Sequence, residues 1–316
     1  MKLNHTYKSI ACGVLLAMTA TSCDLDYNPV DTYSDVTEGV NKTDEKPIFN
    51  SVQDVETSMV TLHKKFRDQQ EHWYVDKLLI GDAHSDNAYA GTTGAEVVPY
   101  ETNSIEGSNS VLKRDWDRFL GDIAVANRII VGCDQLKALS ESERGKYQSQ
   151  AKIFRAMVMF DMVRLWGNFP VITTVGGDIT EDNVEEMYPT YFPPQNTAEE
   201  AYAQIEKDLT EAVENPNTPT NDTSDKSILT KSVARAMLAK VYAEKPLRDY
   251  AKVIKYADEL AADGFDLVED FSDLWAYDTE KKDCRVRNTK EAILEAHFPP
   301  GSGNWCTWMF GRNLSH

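Results

Sequence analysis

The cysteine at position 23 has the most sharply defined chemistry in this chain. It follows Ala20, Thr21 and Ser22, and it closes a leader that reads MKLNHTYKSIACGVLLAMTATSC. Lys2 and Lys8 give the leader a positive start. Ile10 to Met18 form an apolar run far too short to cross a bilayer. Small residues followed by cysteine match the spacing of a bacterial lipobox, with Ala20 where leucine is commoner. Cleavage would make Cys23 the new N-terminus, carrying acyl chains that include palmitate. Each buried methylene adds about 0.8 kcal/mol, so one chain anchors marginally and several anchor firmly. The competing expectation is an ordinary secretory leader with an incidental cysteine. Asp24-Leu25-Asp26-Tyr27-Asn28-Pro29 follows, acidic and turn-prone as a tether would be.

Elsewhere the reactive residue types form no recognisable constellation. Cys133, Cys284 and Cys306 lack CxxC spacing and read best as small buried hydrophobes, so no metal is expected. Asn217, Asn221, Asp222 and Asp225 could offer oxygens to calcium, but without an EF-hand glycine or terminal glutamate. A solvated turn explains them better. With 51 acids, carboxylate pairs arise by chance. GxSxG, HExxH, GxGxxG and phosphate-cradling loops are absent. No catalytic residue and no cofactor is therefore expected, and the chain reads as a non-enzyme. Two loop regions do join aromatic rings to hydrogen-bonding groups. One holds Asp86, Asn87, Tyr89 and Tyr100; the other is a Gly-rich tail with Trp305 and Trp308. Each of these could equally be a solvated or structural loop position. Trp116, Trp166 and Trp275 read as core or interface.

A helical scaffold must position these loops. Ser51 and Asp54 have capping-box spacing, and Val55, Met59, Leu62 and Phe66 form the stripe of a first helix. Tyr74 to Ile80 extends it or forms a second. Residues 81–111 turn polar and Gly-rich, an unusually long loop. A helix over about Lys113–Val131 is predicted to stop at Gly132. Another covers Glu141–Trp166, ended by Gly167-Asn168-Phe169-Pro170. Its second half is apolar almost all round, which marks a buried central helix whose charges must be paired. Asp161 and Arg164 have the i,i+3 spacing to meet each other. Thr197-Ala198-Glu199-Glu200 opens a helix to about Val213. Helices over Thr230–Glu244 and Asp249–Asp263 form a TPR-like hairpin, although the 34-residue repeat is not strict. Phe265–Val268 and Ala292–Phe298 read as short strands.

The formal net charge is −18; the leader holds Lys2 and Lys8 and no acid, so the mature chain carries −20. A surface this acidic repels phosphate backbones, which argues against nucleic acid as a partner.

The stretch Ala151 to Thr173, AKIFRAMVMFDMVRLWGNFPVIT, resembles the signature of the SusD/RagB family. Trp116-Asp117-Arg118-Phe119, Asn127-Arg128-Ile129-Ile130, Tyr202 to Leu209, Thr230 to Tyr242 and Glu291 to Glu295 match further family segments in order. The resemblance implies a mainly α, SusD-like TPR-containing fold with long loops and a few short strands. It divides the chain into a signal peptide (1–22), acylated Cys23 with an extended tether (23–50), and a SusD-like helical domain (51–316). It implies an outer-membrane lipoprotein facing the exterior. Such a protein binds oligosaccharides or other nutrients and delivers them to a SusC-like TonB-dependent barrel. Sugars bind by stacking on aromatic faces while amides, carboxylates and Arg hold the hydroxyls. The family's ligand-contacting regions correspond to the loop bearing Asp86, Asn87, Tyr89 and Tyr100 and to the tail bearing Trp305 and Trp308. Family members continue well past His316, so the C-terminal part of the fold is expected to be missing. Two other readings stand beside this one: a TPR-like scaffold lipoprotein that binds only protein, and a nonfunctional truncated fragment.

Overall fold

The computed structural model describes residues 47–85, 87–89, 94–177 and 183–298. Six long helices carry its architecture: α1 (Val52–Asp68), α2 (Ser110–Gln135), α3 (Glu141–Trp166), α4 (Ala198–Glu214), α5 (Lys231–Ala243) and α6 (Tyr250–Ala262). Their starts follow from the caps. Ser51, Ser140 and Thr197 each accept from the backbone N–H three residues on, and Asp54, Glu143 and Glu200 reach back to complete reciprocal capping boxes. Asn109, Thr230 and Asp249 cap α2, α5 and α6 with one side chain each. Gly167 ends α3 at φ 74° and Gly264 follows α6 at φ 90°, conformations that a Cβ would strain.

Each helix packs against the next, and α3 also touches α1 and α5. This is the stacking of a TPR-like array, with α3 at its centre. Along α3, Ala151, Ile153, Phe154, Ala156, Val158, Met159, Phe160 and Met162 are all buried. That accounts for its near-continuous apolar sequence. α2 runs four residues beyond its expected end at Val131, to Gln135. Gly132 lies inside it, and a Cβ there would fall 2.4 Å from the Phe49 ring. This glycine makes room for the incoming chain instead of ending the helix.

The charges of α3 are paired, though not as the spacing suggested. Arg155 (4% exposed) donates to both carboxylate oxygens of buried Asp208 on α4, at 2.8 and 2.7 Å. It also donates to Asn127 Oδ1 on α2 at 2.7 Å. Asn127 in turn donates to the carbonyls of Ile172 (2.9 Å) and Thr174 (3.2 Å), which fixes the loop after α3. Asp161 and Arg164 do not meet. Asp161 pairs with Lys77 and Arg164 with Glu244, because tertiary neighbours approach both side chains more favourably than they approach each other.

Phe265–Val268 and Ala292–Phe298 are not strands. Asp266 N–H donates to the Lys290 carbonyl (3.3 Å) and Glu295 N–H to the Lys226 carbonyl (2.8 Å), but no ladder develops from either bond. The strands that do form among the described residues are Tyr277–Asp278 and Asp283–Cys284, a two-residue antiparallel pair. In the connector, Asp222 and Asp225 accept from Ser224 and Ser227, and Asn221 accepts from Lys226 Nζ. Those oxygens close turns, as expected of a solvated connector. Cys133 is buried. No helix among the described residues is long and apolar enough to cross a membrane.

Candidate functional site

After α1 the chain does not run on as regular helix. Glu71–Val75 and Leu79–Ala83 form π turns on either side of Asp76–Leu78. A π turn rotates the following side chains relative to an α-helix, which is why such turns recur at functional positions. Here the first one is held from beneath. Asp122 of α2, fully buried, lies 2.9 Å from His72 Nε2, accepts from Trp73 Nε1 at 3.1 Å and pairs with Lys65 at 3.1 Å. Phe119 packs edge-on against both the His72 and Trp73 rings.

Above this support lies a cleft of about 460 Å³. Trp73 belongs to its lining but is 4% exposed and covered by Lys77. Phe66 from α1, Tyr74 from the π turn, Met157 from α3 and Leu294 and Phe298 from the C-terminal segment supply apolar walls. Polar groups interrupt those walls at His63, Lys64, Arg67, Lys77, Glu295 and His297. Lys77 Nζ lies 4.6 Å over the Trp73 ring, and Arg67 forms a bidentate pair with Asp68 at 2.6 and 3.1 Å. His297 Nε2 lies 3.0 Å from Glu295, which also accepts the Asn288 N–H. Burial holds His63 below the usual imidazole range, opposed by a hydrogen bond with Gln150 and the charge of Asp225. The cleft is within the size range of small-ligand sites. It offers aromatic faces for stacking and charged groups that can hold hydroxyls. Among the described residues no group of three or more His, Cys, Asp or Glu is placed to hold a metal.

The expected contacts divide into three groups. Cys23, Asp86, Trp305 and Trp308 lie outside the described residues. Asn87 and Tyr89 are exposed on the polar loop; Asn87 donates to Ser85 Oγ, and Tyr89 is 76% exposed. Neither lines the cleft. Tyr100 is corrected from contact to support, because it is 1% exposed and its ring offers no face to a ligand. It instead packs edge-on to His84, with its hydroxyl 3.5 Å from Asn109 Oδ1, the cap of α2. Trp116 and Trp166 pack on the core at 5.4 Å from each other, but Trp275 is 76% exposed and is not core.

The sequence reading missed His63, Arg67, Trp73, Tyr74, Lys77, His297 and Phe298. The cluster HWYVDK, aromatic and charged residues at the start of a polar loop, was the available signal.

The stacked helices, with a cleft lined by aromatic and charged residues, define a mainly α, TPR-like helical protein. The chain belongs to the SusD-like family described as starch-binding and associating with the outer membrane, whose model matches residues 32–243. A SusD-like protein of Bacteroides ovatus is 25% identical over 309 residues, covering 94% of this chain and 50% of its own. Among solved structures, a surface glycan-binding protein A from Bacteroides fluxus matches with TM-score 0.63 and 21% identity, over 81% of this chain and 52% of its own. A laminarin-binding SusD-like protein matches with TM-score 0.58 and 21% identity, over 72% and 48%. The chain thus spans about half the length of the relatives it matches.

Proposed function

We propose that this protein is a lipid-anchored, outward-facing outer-membrane protein that binds an oligosaccharide or similar nutrient and passes it to a SusC-like TonB-dependent barrel. It does so without chemical conversion of the ligand. One observation carries this reading: the cleft sets the partly exposed rings of Phe66, Tyr74 and Phe298 among charged and hydrogen-bonding side chains, as recognition of a sugar's CH faces and hydroxyls requires. The family description, with its starch-binding and outer-membrane terms, supports it. So does the neighbour named for laminarin binding.

Trp305 and Trp308 are the proposed stacking contacts. Phe298 lines the cleft and precedes Trp305 by seven residues, a span of at most about 25 Å when extended. Asp86, Asn87 and Tyr89 are proposed to add contacts from the polar loop. Cys23 is the proposed acylation site. Isothermal titration against a panel of neutral and acidic glycans tests the site: binding should weaken at least about tenfold, or roughly 1.4 kcal/mol, in Trp305→Ala and Trp308→Ala. A ligand whose affinity ignores both changes refutes this assignment. Incorporation of labelled palmitate should vanish in Cys23→Ala; its persistence refutes the anchor.

A further inference from the structure

The cleft has a charge opposite to that of the chain around it. The protein carries 51 acids against 33 lysines and arginines, so a surface patch taken at random should be acidic. The lining instead holds Lys64, Arg67 and Lys77 together with His63 and His297, and Glu295 is its one carboxylate. Asp, Asn and Gln do not occur among the lining residues. Local structure gathers the cations. Lys64 and Arg67 stand at i,i+3 spacing near the end of α1 and so share a face. Lys77 joins them from the short helical stretch between the two π turns.

These cations keep hydrogen-bonding capacity for a ligand. Lys64 is exposed, and among the described residues no hydrogen bond or ion pair involves it. Arg67 gives Nε and Nη2 to Asp68, at 2.6 and 3.1 Å, and keeps Nη1. Lys77 pairs with Asp161, and its ammonium has further protons to give. Neither Asp68 nor Asp161 belongs to the lining. The one lining carboxylate is already engaged: Glu295 Oε2 accepts the Asn288 N–H at 3.2 Å and lies 3.0 Å from His297 Nε2. Ser227 Oγ donates to Asp225 at 2.6 Å. The side chains of the cleft therefore present mainly donors. A neutral sugar hydroxyl donates as well as accepts and finds few acceptors there, whereas an ionised acid only accepts.

We propose that the cleft takes an anionic oligosaccharide, one whose ring-borne carboxylates or sulfates are held by Lys64, Arg67 and Lys77. This rests on the reading of the cleft as the ligand site. The partly exposed rings of Phe66, Tyr74 and Phe298 stand among the cations and offer faces to sugar CH groups, which favours a saccharide over an acidic peptide. The acidity of the rest of the chain does not oppose it. At physiological ionic strength fields between exposed charges decay over about 8 Å, so remote acids are screened while the cleft's own cations act at contact. A hydrogen bond to an ionised acceptor is also roughly twice as strong as one between neutral groups.

Isothermal titration of the full chain with matched pairs tests this: oligogalacturonate against its methyl ester, and a carrageenan oligosaccharide against its desulfated form. In at least one pair the acidic member should bind about tenfold tighter or more at roughly 25 mM salt, and the gap should shrink at about 0.5 M. The pair that responds separates carboxylate from sulfate. Lys64→Gln should weaken the acidic member about threefold, and adding Arg67→Gln should erase the preference. Lys113→Gln removes the same charge from an exposed site outside the lining and should change nothing. Neutral members bound as tightly as acidic ones overturn this proposal and leave the glycan-binding reading standing; a panel in which no saccharide binds overturns both. Equal losses in Lys64→Gln and Lys113→Gln overturn it, because net charge alone would then account for the preference. A short oligoglutamate bound as tightly as the acidic sugars overturns it as well. The comparison within each pair uses the wild type, so it holds whether or not the variants fold.

Discussion

Replacing Asp208 with alanine should be among the most damaging single changes in this protein. In the folded state Arg155 keeps its hydrogen bonds to Asn127 (2.7 Å) and the Thr173 carbonyl (3.5 Å) but loses both bonds to the carboxylate, made at 2.8 and 2.7 Å. Its side chain is 4% exposed, so bulk solvent does not reach the guanidinium to replace the carboxylate's charge. Stranding a buried charge in this way costs about 3–5 kcal/mol. At about 2–4 °C per kcal/mol for a domain of this size class, the melting temperature should drop by roughly 6–20 °C. Differential scanning calorimetry and urea titration measure both quantities. The double variant Arg155→Met with Asp208→Leu should recover most of the loss, because it leaves no unpaired charge. Lys113→Ala, which breaks the exposed i,i+4 pair with Asp117, should change stability by less than about 0.5 kcal/mol. A loss below about 1 kcal/mol for Asp208→Ala refutes the reasoning, as does a double variant no better than the single.

Ser140→Ala removes the hydroxyl half of the α3 capping box while the residue-140 backbone N–H can still donate to Glu143, and should cost about 1 kcal/mol, read from the urea midpoint at unchanged slope. Cys133 is fully buried, and burial with the nearby Asp134 pushes its thiol up to about 12. Iodoacetamide should therefore label it only under unfolding conditions; labelling at neutral pH in the native state contradicts this. Asp115 takes up a proton on folding, since its folded value lies near 8 and the unfolded one near 3.9. Stability from this site is thus fully present below about pH 4 and declines as pH rises toward 8. Against Asp115→Asn, the wild type should match at pH 4 and fall behind progressively to pH 8 in thermal melts. A gap that narrows with pH has the wrong sign.

Much of the helical frame was legible because local chemistry dictates it. Ser51, Ser140 and Thr197 each stand three residues before an acid, and every one of these signatures opens a helix where expected. Gly167 ends α3 for a backbone reason that needs no tertiary knowledge. What failed depended on neighbours distant in sequence. Asp161 and Arg164 have pairing geometry on a bare helix, yet Lys77 and Glu244 claim them from 84 and 80 positions away. Gly132 has the look of a stop until Phe49 is placed against it. The segments around Phe265 and Ile293 have strand composition, but a strand is defined by its partner, and single backbone bonds are what they find.

The site was harder to read for a related reason. Loops were expected to carry the contacts, and the polar loop does expose Asn87 and Tyr89. The cleft itself draws on the end of α1, a π turn, one methionine of α3 and a segment more than 200 residues beyond α1. No spacing rule links His63 to His297. A π turn also breaks the 3.6-residue period on which amphipathic readings rest, so the faces of Trp73 and Tyr74 could not be assigned from the helical pattern of α1. Tyr100 shows the reverse error. Its polar, Gly-rich setting suggested an exposed ring, but a loop of that length needs an internal anchor, and an aromatic side chain buried against the start of α2 provides one. Aromatic residues in such a loop therefore divide between contact and anchorage. Burial of the ring distinguishes them: Tyr89 is exposed, whereas Tyr100 is buried against His84 and the Asn109 cap of α2.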